Sequence, residues 1–326
     1  MKKNLLLLFV SISVLNFVIA QNDSYKKEGE TAHVSIIKDI KSVKKSLNFL
    51  IMGDWGRHGA LHQKKVAEQM SNATVDINST FNLITGDNFY PSGVASEFDP
   101  SWKSSFEDVY YQHPLFNDWY VALGNHDYKT NPDAEVAYSL ISARWHMPKR
   151  YYSIVKTLKD GTKAQFFIID TSPFQTDYYD DEDYGPKVKL TDTTAQKKWL
   201  EEGLKNSTAT WKFVVGHHPL FSAGKRKDKT SDMLYSFGPL FDKYKVDAYF
   251  CGHEHHLEYD EPKGYHFVQC ISGAGGEATA VSSADFAKFI IQDFGFVAAT
   301  LTSKELMLQY INEEGKILYS TTLSKK

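Results

Sequence analysis

Cysteine is nearly missing from this 326-residue chain, which has only Cys251 and Cys270. A disulfide-stapled scaffold is thereby excluded, because such folds need several bridges. Both cysteines sit in apolar, strand-like runs, where a buried free thiol is the common outcome. Basic excess is missing too. Lys and Arg number 37 against 40 Asp and Glu, for a net charge of −3. A surface dedicated to nucleic acid would carry the opposite sign, so no nucleic-acid partner is expected. No period of roughly 20 to 50 residues repeats, which excludes a solenoid. No Pro/Ser-rich linker divides the chain, and beyond its N-terminus no run is long and apolar enough to span a bilayer.

The N-terminus has the form of an export signal over residues 1–20. Lys2 and Lys3 open it, Leu5 to Ile19 is apolar, and Val18-Ile19-Ala20 supplies a cleavage site before Gln21. The expected destination is secreted or periplasmic (lysosomal or extracellular in a eukaryote), with no membrane anchor after cleavage. Residues 21–46 read as a polar, Lys-rich lead-in, and 47–326 as a single catalytic domain. Sequons stand at Asn22, Asn72, Asn78 and Asn206 and matter only in a glycosylating host.

From Asn48 onward, apolar strands alternate with helical stretches. Helices are expected over Gly59–Asn72, with Leu61, Val66 and Met70 on one face, and over Ser101–Val109, Ala134–Arg144 and Thr191–Lys205. The last of these carries cap chemistry at Thr191 to Thr194 and an apolar face of Trp199, Leu200 and Leu204. Strand-rich segments are expected at Tyr151–Val155, Ala164–Asp170, Trp211–Val215 and Tyr265–Ser272. Antiparallel strands follow from Gly295 to Leu323, turning at Asn312-Glu313-Glu314-Gly315. The fold class is α/β, with two mixed sheets packed as a sandwich flanked by helices.

What the chain does have is five apolar runs that each end in a metal-seeking residue. Phe49–Gly53 ends at Asp54, Phe81–Gly86 at Asp87 with Tyr90 three residues on, and Trp119–Gly124 at Asn125-His126-Asp127. Phe213–Gly216 ends at His217-His218, and Ala248–Gly252 at His253-Glu254-His255-His256. Open α/β sheets bind ligands at the carboxyl ends of their strands. One site built from five strand ends is the expectation, and its residue types point to two metal ions.

Taken singly, each of these residues has a plainer reading. Asp54 before Gly is a common turn residue, Tyr90 a packing aromatic, and any one histidine a satisfied imidazole. Together, five clusters in succession are poorly explained by chance. The Asp87 carboxylate can bridge two cations. Tyr90 binds only as phenolate, and a phenol that titrates near 10 needs a strong Lewis acid such as trivalent iron to ionise at neutral pH. Asn125 offers an amide oxygen to a divalent ion. His126, one residue on, must point elsewhere, which suits a proton donor or phosphate contact. His217 and His253 suit zinc, iron or manganese. His253 and His255 share one side if the strand pattern persists, and otherwise address two neighbouring metals.

These five blocks, in this order, resemble those of the purple acid phosphatases of the small, single-domain, tartrate-resistant type, within the metallophosphoesterases. The similarity runs from about Asn48 to the end and takes in Phe106–Val109, Lys187–Leu190 and Ile271–Gly275. It implies that Asp54, Tyr90 and His255 hold Fe(III), that Asp87 bridges, and that Asn125, His217 and His253 hold a divalent iron, zinc or manganese. It also implies hydrolysis of small phosphate monoesters by metal-activated water or hydroxide, releasing inorganic phosphate, with Asn125 and His126 on the phosphate and His126 protonating the leaving alcohol. A phosphodiesterase or nucleotide pyrophosphatase on the same fold is the alternative. A non-catalytic metal- or phosphate-binding protein is the more distant one.

One stretch departs from the family pattern. Mammalian members resemble Gly-His-Tyr-Pro after the fourth block and carry a further histidine nine positions past the ligand. Here the run is Gly216-His217-His218-Pro219, and Arg226 occupies the later position. Arg226 or Lys225 is a candidate phosphate contact, set against the reading of Lys225–Lys229 as a solvated charged loop. His218 is expected to be a neighbour and not a ligand, and His58 and His62 to lie on a helix surface. The family's flexible loop corresponds to Phe174–Gly185, which is strongly acidic here and is expected to be solvated.

Overall fold

The computed structural model describes residues 37–325. The export signal, the first part of the lead-in and the Asn22 sequon lie outside the described residues. Two seven-stranded mixed sheets make up the frame. In the first sheet, β1 (Leu47–Met52), β2 (Phe81–Ile84), β3 (Asp118–Val121) and β4 (Trp145–His146) run parallel. Its other half is antiparallel: β12 (Gly295–Leu301) pairs with β1, followed by β13 (Glu305–Asn312) and β14 (Ile317–Ser324). The turn between β13 and β14 falls at Asn312–Gly315, as expected from the sequence.

The second sheet has parallel strands β6 (Lys163–Ile168), β7 (Trp211–Val215), β8 (Ala248–Cys251) and β10 (Val268–Ser272) at its heart. Antiparallel β5 (Tyr152–Thr157) closes one edge, and β9 (Leu257–Asp260) with β11 (Ala287–Ile291) the other. The strands with side chains buried on both faces read as continuous apolar runs, which is what covered parallel strands require.

The two sheets pack through phenylalanines. Phe49 stacks on Phe81 at 5.0 Å within one sheet and meets Phe166 edge-on at 5.5 Å from the other. Phe213 and Phe250 continue the column at 5.4 Å, and all five side chains are buried. Each contributes about 1.5–3 kcal/mol on burial. Cys251 and Cys270 are free buried thiols on adjacent strands. They belong to different core clusters, Cys270 between the sheets and Cys251 on the outer side, so they do not face one another.

Helix α1 (Gln63–Ile77) begins and ends later than its apolar spacing suggests. Leu61 and His58 have left-handed backbone, and Leu61 is 64% exposed, so it takes no part in the helix face. His62 precedes the helix, stacked at 3.6 Å on Phe294 and bonded to Glu313, not on an open helix surface. Ser101–Val109 makes only one wide turn, and Ala134–Arg144 shortens to Pro132–Tyr138. Thr193–Asn206 matches its expectation. Asp192 caps it through Ala195 N–H, and Leu200 and Leu204 are buried beneath it. Ser231–Lys243 is helical although Pro239 lies inside it. Asn72 is buried, so its sequon is closed to modification in the folded chain, whereas Asn78 and Asn206 are exposed. Among the described residues, no helix is long and apolar enough to cross a membrane.

Candidate metal centre

The carboxyl ends of β1, β2 and β3 meet those of β7 and β8 where the two sheets adjoin. Asp54, Asp87 and His253 all leave their strands with left-handed backbone, at φ 59°, 51° and 69°. Such conformations are uncommon for residues other than glycine and are concentrated where geometry serves function. Here the sharp turn swings each side chain off the strand axis and into the shared cleft. Two glycines make room for close approach. A Cβ on Gly124 would lie 2.2 Å from Asp87 Oδ1, and one on Gly252 would lie 2.3 Å from Asp54 Oδ2.

Two groups of donor atoms converge. In one, the Tyr90 hydroxyl lies 3.0 Å from Asp54 Oδ1, 2.9 Å from Asp87 Oδ2 and 3.1 Å from His255 Nε2. The phenol has one proton to give and three acceptors around it, whereas a cation satisfies all four lone-pair donors at once. In the other, Asn125 Oδ1 lies 3.1 Å from His217 Nε2 and 2.9 Å from His253 Nδ1. The two imidazole nitrogens are 3.2 Å apart. Asp87 joins the groups, with its Oδ1 3.4 Å from His217 Nε2. The donor set thus fits two adjacent cations, the oxygen-rich pocket suited to the harder one.

Neighbours fix the orientation of these donors. His217 Nδ1 lies 2.8 Å from Thr85 O, which turns Nε2 toward the cleft. Asn125 Nδ2 donates to Tyr184 Oη at 3.0 Å, which aims Oδ1 at the histidines. Asp54 Oδ2 accepts His253 N–H at 2.9 Å. Asp127 is buried behind the donors. Its carboxylate accepts N–H groups of Asn88, Phe89 and Gly124 and so pins the two loops that bear Asp87 and Asn125. Asp127 and Thr85 lie inside the strand-end blocks, but nothing in the sequence marked them, or Tyr184, as orienting residues.

Electrostatics bear out the draw for positive charge. Burial opposes ionisation of Asp87, yet His217 and His126 hold its carboxyl far below the usual range. Burial opposes charge on His217, but Asp87 and Asp54 push its pKa up to about 9. Tyr90 is driven well above its ordinary value by burial and by Asp54 and Asp87. The same field that retains these protons attracts a metal, which displaces them on binding.

His126 occupies a different place. Its backbone N–H donates to Asp87 Oδ1 at 2.7 Å, and its Nδ1 lies 2.6 Å from Pro91 O. Nε2 therefore faces the cleft, 4.0 Å from Asp87 Oδ2, with the ring 21% exposed. His218 comes within ligand distance of His217 and His253. Its two nitrogens, however, are engaged by Thr171 Oγ1 at 2.8 Å and Tyr178 Oη at 2.9 Å. The Arg226 guanidinium is bonded to His253 O at 2.7 Å, along the wall of the site.

The segment Phe174–Gly185 is only partly a solvated loop. Tyr178 and Tyr184 turn inward, their rings 4.4 Å apart, and reach His218 and Asn125. Its acidic residues face outward, and Asp177 pairs with Lys229 at 2.8 Å. A cavity of about 380 Å³ lies between this segment and Lys229–Asp232, and it opens on His253.

The family model for calcineurin-like phosphoesterases matches residues 47–257. The chain belongs to that family. Within it the chain sits with the purple acid phosphatases. It is 33% identical to purple acid phosphatase 17 of Arabidopsis thaliana, over 86% of this chain and 85% of that one. It is 32% identical to human tartrate-resistant acid phosphatase type 5, over 86% of this chain and 92% of that one. Among solved structures it is similar to GAP50 of Plasmodium, the anchor in the inner membrane complex. That likeness has a TM-score of 0.76 and 25% identity, covering 87% of this chain and 90% of that one. In this calcineurin-like phosphoesterase the five strand-end blocks occupy one connected site.

Proposed function

We propose that the chain is an exported acid phosphatase that hydrolyses small phosphate monoesters at a mixed iron centre. Fe(III) is assigned to Asp54, Tyr90 and His255, and a divalent iron, zinc or manganese to Asn125, His217 and His253, with Asp87 shared. The observation that carries this reading is Asp87, whose two oxygens face separate donor groups 2.9 Å and 3.4 Å away. When bound, two such cations withdraw charge from phosphoryl oxygens and acidify water.

The remaining work falls to the chain's own side chains. Asn125, held by Tyr184, and His126 receive the phosphate. His126 Nε2 gives a proton to the departing alcohol oxygen, while Nδ1 stays on the Pro91 carbonyl. Arg226 adds positive charge beside His253. Water attacks the phosphorus directly, so no residue is phosphorylated.

The test is hydrolysis of p-nitrophenyl phosphate against bis(p-nitrophenyl) phosphate by the natively purified protein. Faster turnover of the monoester, strongest in acid, is expected. Preference for the diester would replace this reading with a phosphodiesterase. The likeness to an anchor protein favours a scaffold role as the second reading, and failure to hydrolyse either ester with both metals loaded would select it.

A further inference from the structure

The iron-side donors are backed by an ion pair that the chemistry above does not use. Arg57 Cζ lies 3.7 Å from the centroid of the Tyr90 ring. Its Nη2 donates to Glu277 Oε2 at 2.5 Å, and the same carboxylate oxygen lies 3.5 Å from His255 Nδ1. Arg57 follows β1 and Glu277 follows β10, so the pair joins loops from both sheets behind the cleft. The Arg57 side chain is 16% exposed. Its backbone N–H is fixed by Gln63 Oε1 at 3.0 Å.

We infer that Arg57 and Glu277 are positioning residues that hold Tyr90 and His255 in register and set how strongly those two donors bind their metal. A guanidinium against an aromatic face is attracted to the ring's electrons, and more strongly once that ring is a phenolate. It stabilises the phenolate's filled orbitals and so raises the energy needed to move an electron from ring to metal. The Glu277 carboxylate approaches His255 Nδ1 at ion-pair and not hydrogen-bond distance, close enough to favour the proton on Nδ1 and leave Nε2 as the donor, and loss of a carboxylate behind a ligating imidazole commonly lowers metal affinity roughly 10–100-fold. One ion pair thereby acts on two of the iron-side donors. The colour argument rests on the ferric assignment, and the positioning argument does not.

The experiment compares the full chain with Arg57→Leu, Arg57→Lys and Tyr90→Phe by visible absorption. Zinc retained by zinc-loaded protein after dialysis against a chelator is measured in parallel. Arg57→Leu is expected to move the tyrosinate band to longer wavelength, with Arg57→Lys in between and Tyr90→Phe lacking the band. It should also retain one zinc fewer than the parent, with the lysine variant partly restored. A colourless parent would sink the ferric assignment alone, and zinc loss from Arg57→Leu would still uphold the positioning role. Zinc retention equal to the parent's, with any band unmoved, would overturn it.

Discussion

Asp87 and His217 face each other across 3.4 Å, Oδ1 to Nε2, while the other Asp87 oxygen belongs to the Tyr90 side. The two donor groups therefore share a wall, and damage to either is expected to be distinguishable. Asn125→Ala removes a donor from the His217–His253 group only, so metal analysis should show one ion lost and one kept. Tyr184→Phe merely frees the Asn125 amide, and a milder fall in affinity of roughly 10–100-fold is expected.

His126, whose Nε2 faces the cleft 4.0 Å from Asp87 Oδ2, is proposed to act on the leaving group. His126→Gln should slow alkyl phosphates by roughly 10²–10⁴-fold, the usual range for a lost general acid. Activated aryl phosphates, whose leaving groups need no proton, should change far less. Steady-state rates on matched ester pairs check this, and equal losses on both would remove His126 from the acid role.

Much of this site was legible because its residues follow strands. Apolar run, tight turn and ligand recur five times, and parallel strands put all five turns at one end. The orienting residues were illegible for the same reason. Tyr184, Arg57 and Glu277 come from loops with no periodicity, and Thr85 and Asp127, though inside the strand-end blocks, act through contacts between distant segments that the sequence does not display. The helix over Ser231–Lys243 was hidden by Gly238-Pro239, where burial of Met233, Phe237 and Phe241 outweighs weak local propensity. Leu61 was misplaced because the spacing of apolar residues does not reveal a left-handed turn before a helix. The acidic composition of Phe174–Gly185 concealed tyrosines that point inward.

Gly124→Ala should be as damaging to the centre as loss of a ligand. The added methyl would overlap Asp87 Oδ1 and N, each 2.2 Å away. Reduced metal content with a near-native circular dichroism spectrum is expected. Full metal content in this variant would show that the loop yields more readily than its packing implies.

The contribution of Asp170 to stability should fall as pH rises through weak acid. Asp170 is fully buried beside Tyr128, and burial raises its pKa from 3.8 to about 7. Between those values the folded chain holds a proton that the unfolded chain has released. Its contribution is complete at or below the unfolded pKa and is lost as pH climbs to about 7. One proton gives a slope of at most about 1.4 kcal/mol per pH unit. Denaturant midpoints measured from pH 4 to 7 isolate it by difference: the advantage of the parent over Asp170→Asn should shrink as pH rises, and a constant difference would remove Asp170 from this role.

Phe250→Ala opens the column between the sheets, where the ring meets Phe49 at 6.2 Å and Phe213 at 5.4 Å. A loss of about 3–5 kcal/mol is expected for a buried phenylalanine cut to alanine. Equilibrium unfolding measures it. A loss below about 1 kcal/mol would mean that the sheets close over the cavity.

Metal analysis of natively purified protein and its Asp87→Ala variant decides whether Asp87 joins two cation sites. Two metal ions per parent chain, one of them iron, and loss from both sites in the variant are predicted. A single ion per chain, or a variant that keeps both, would contradict it.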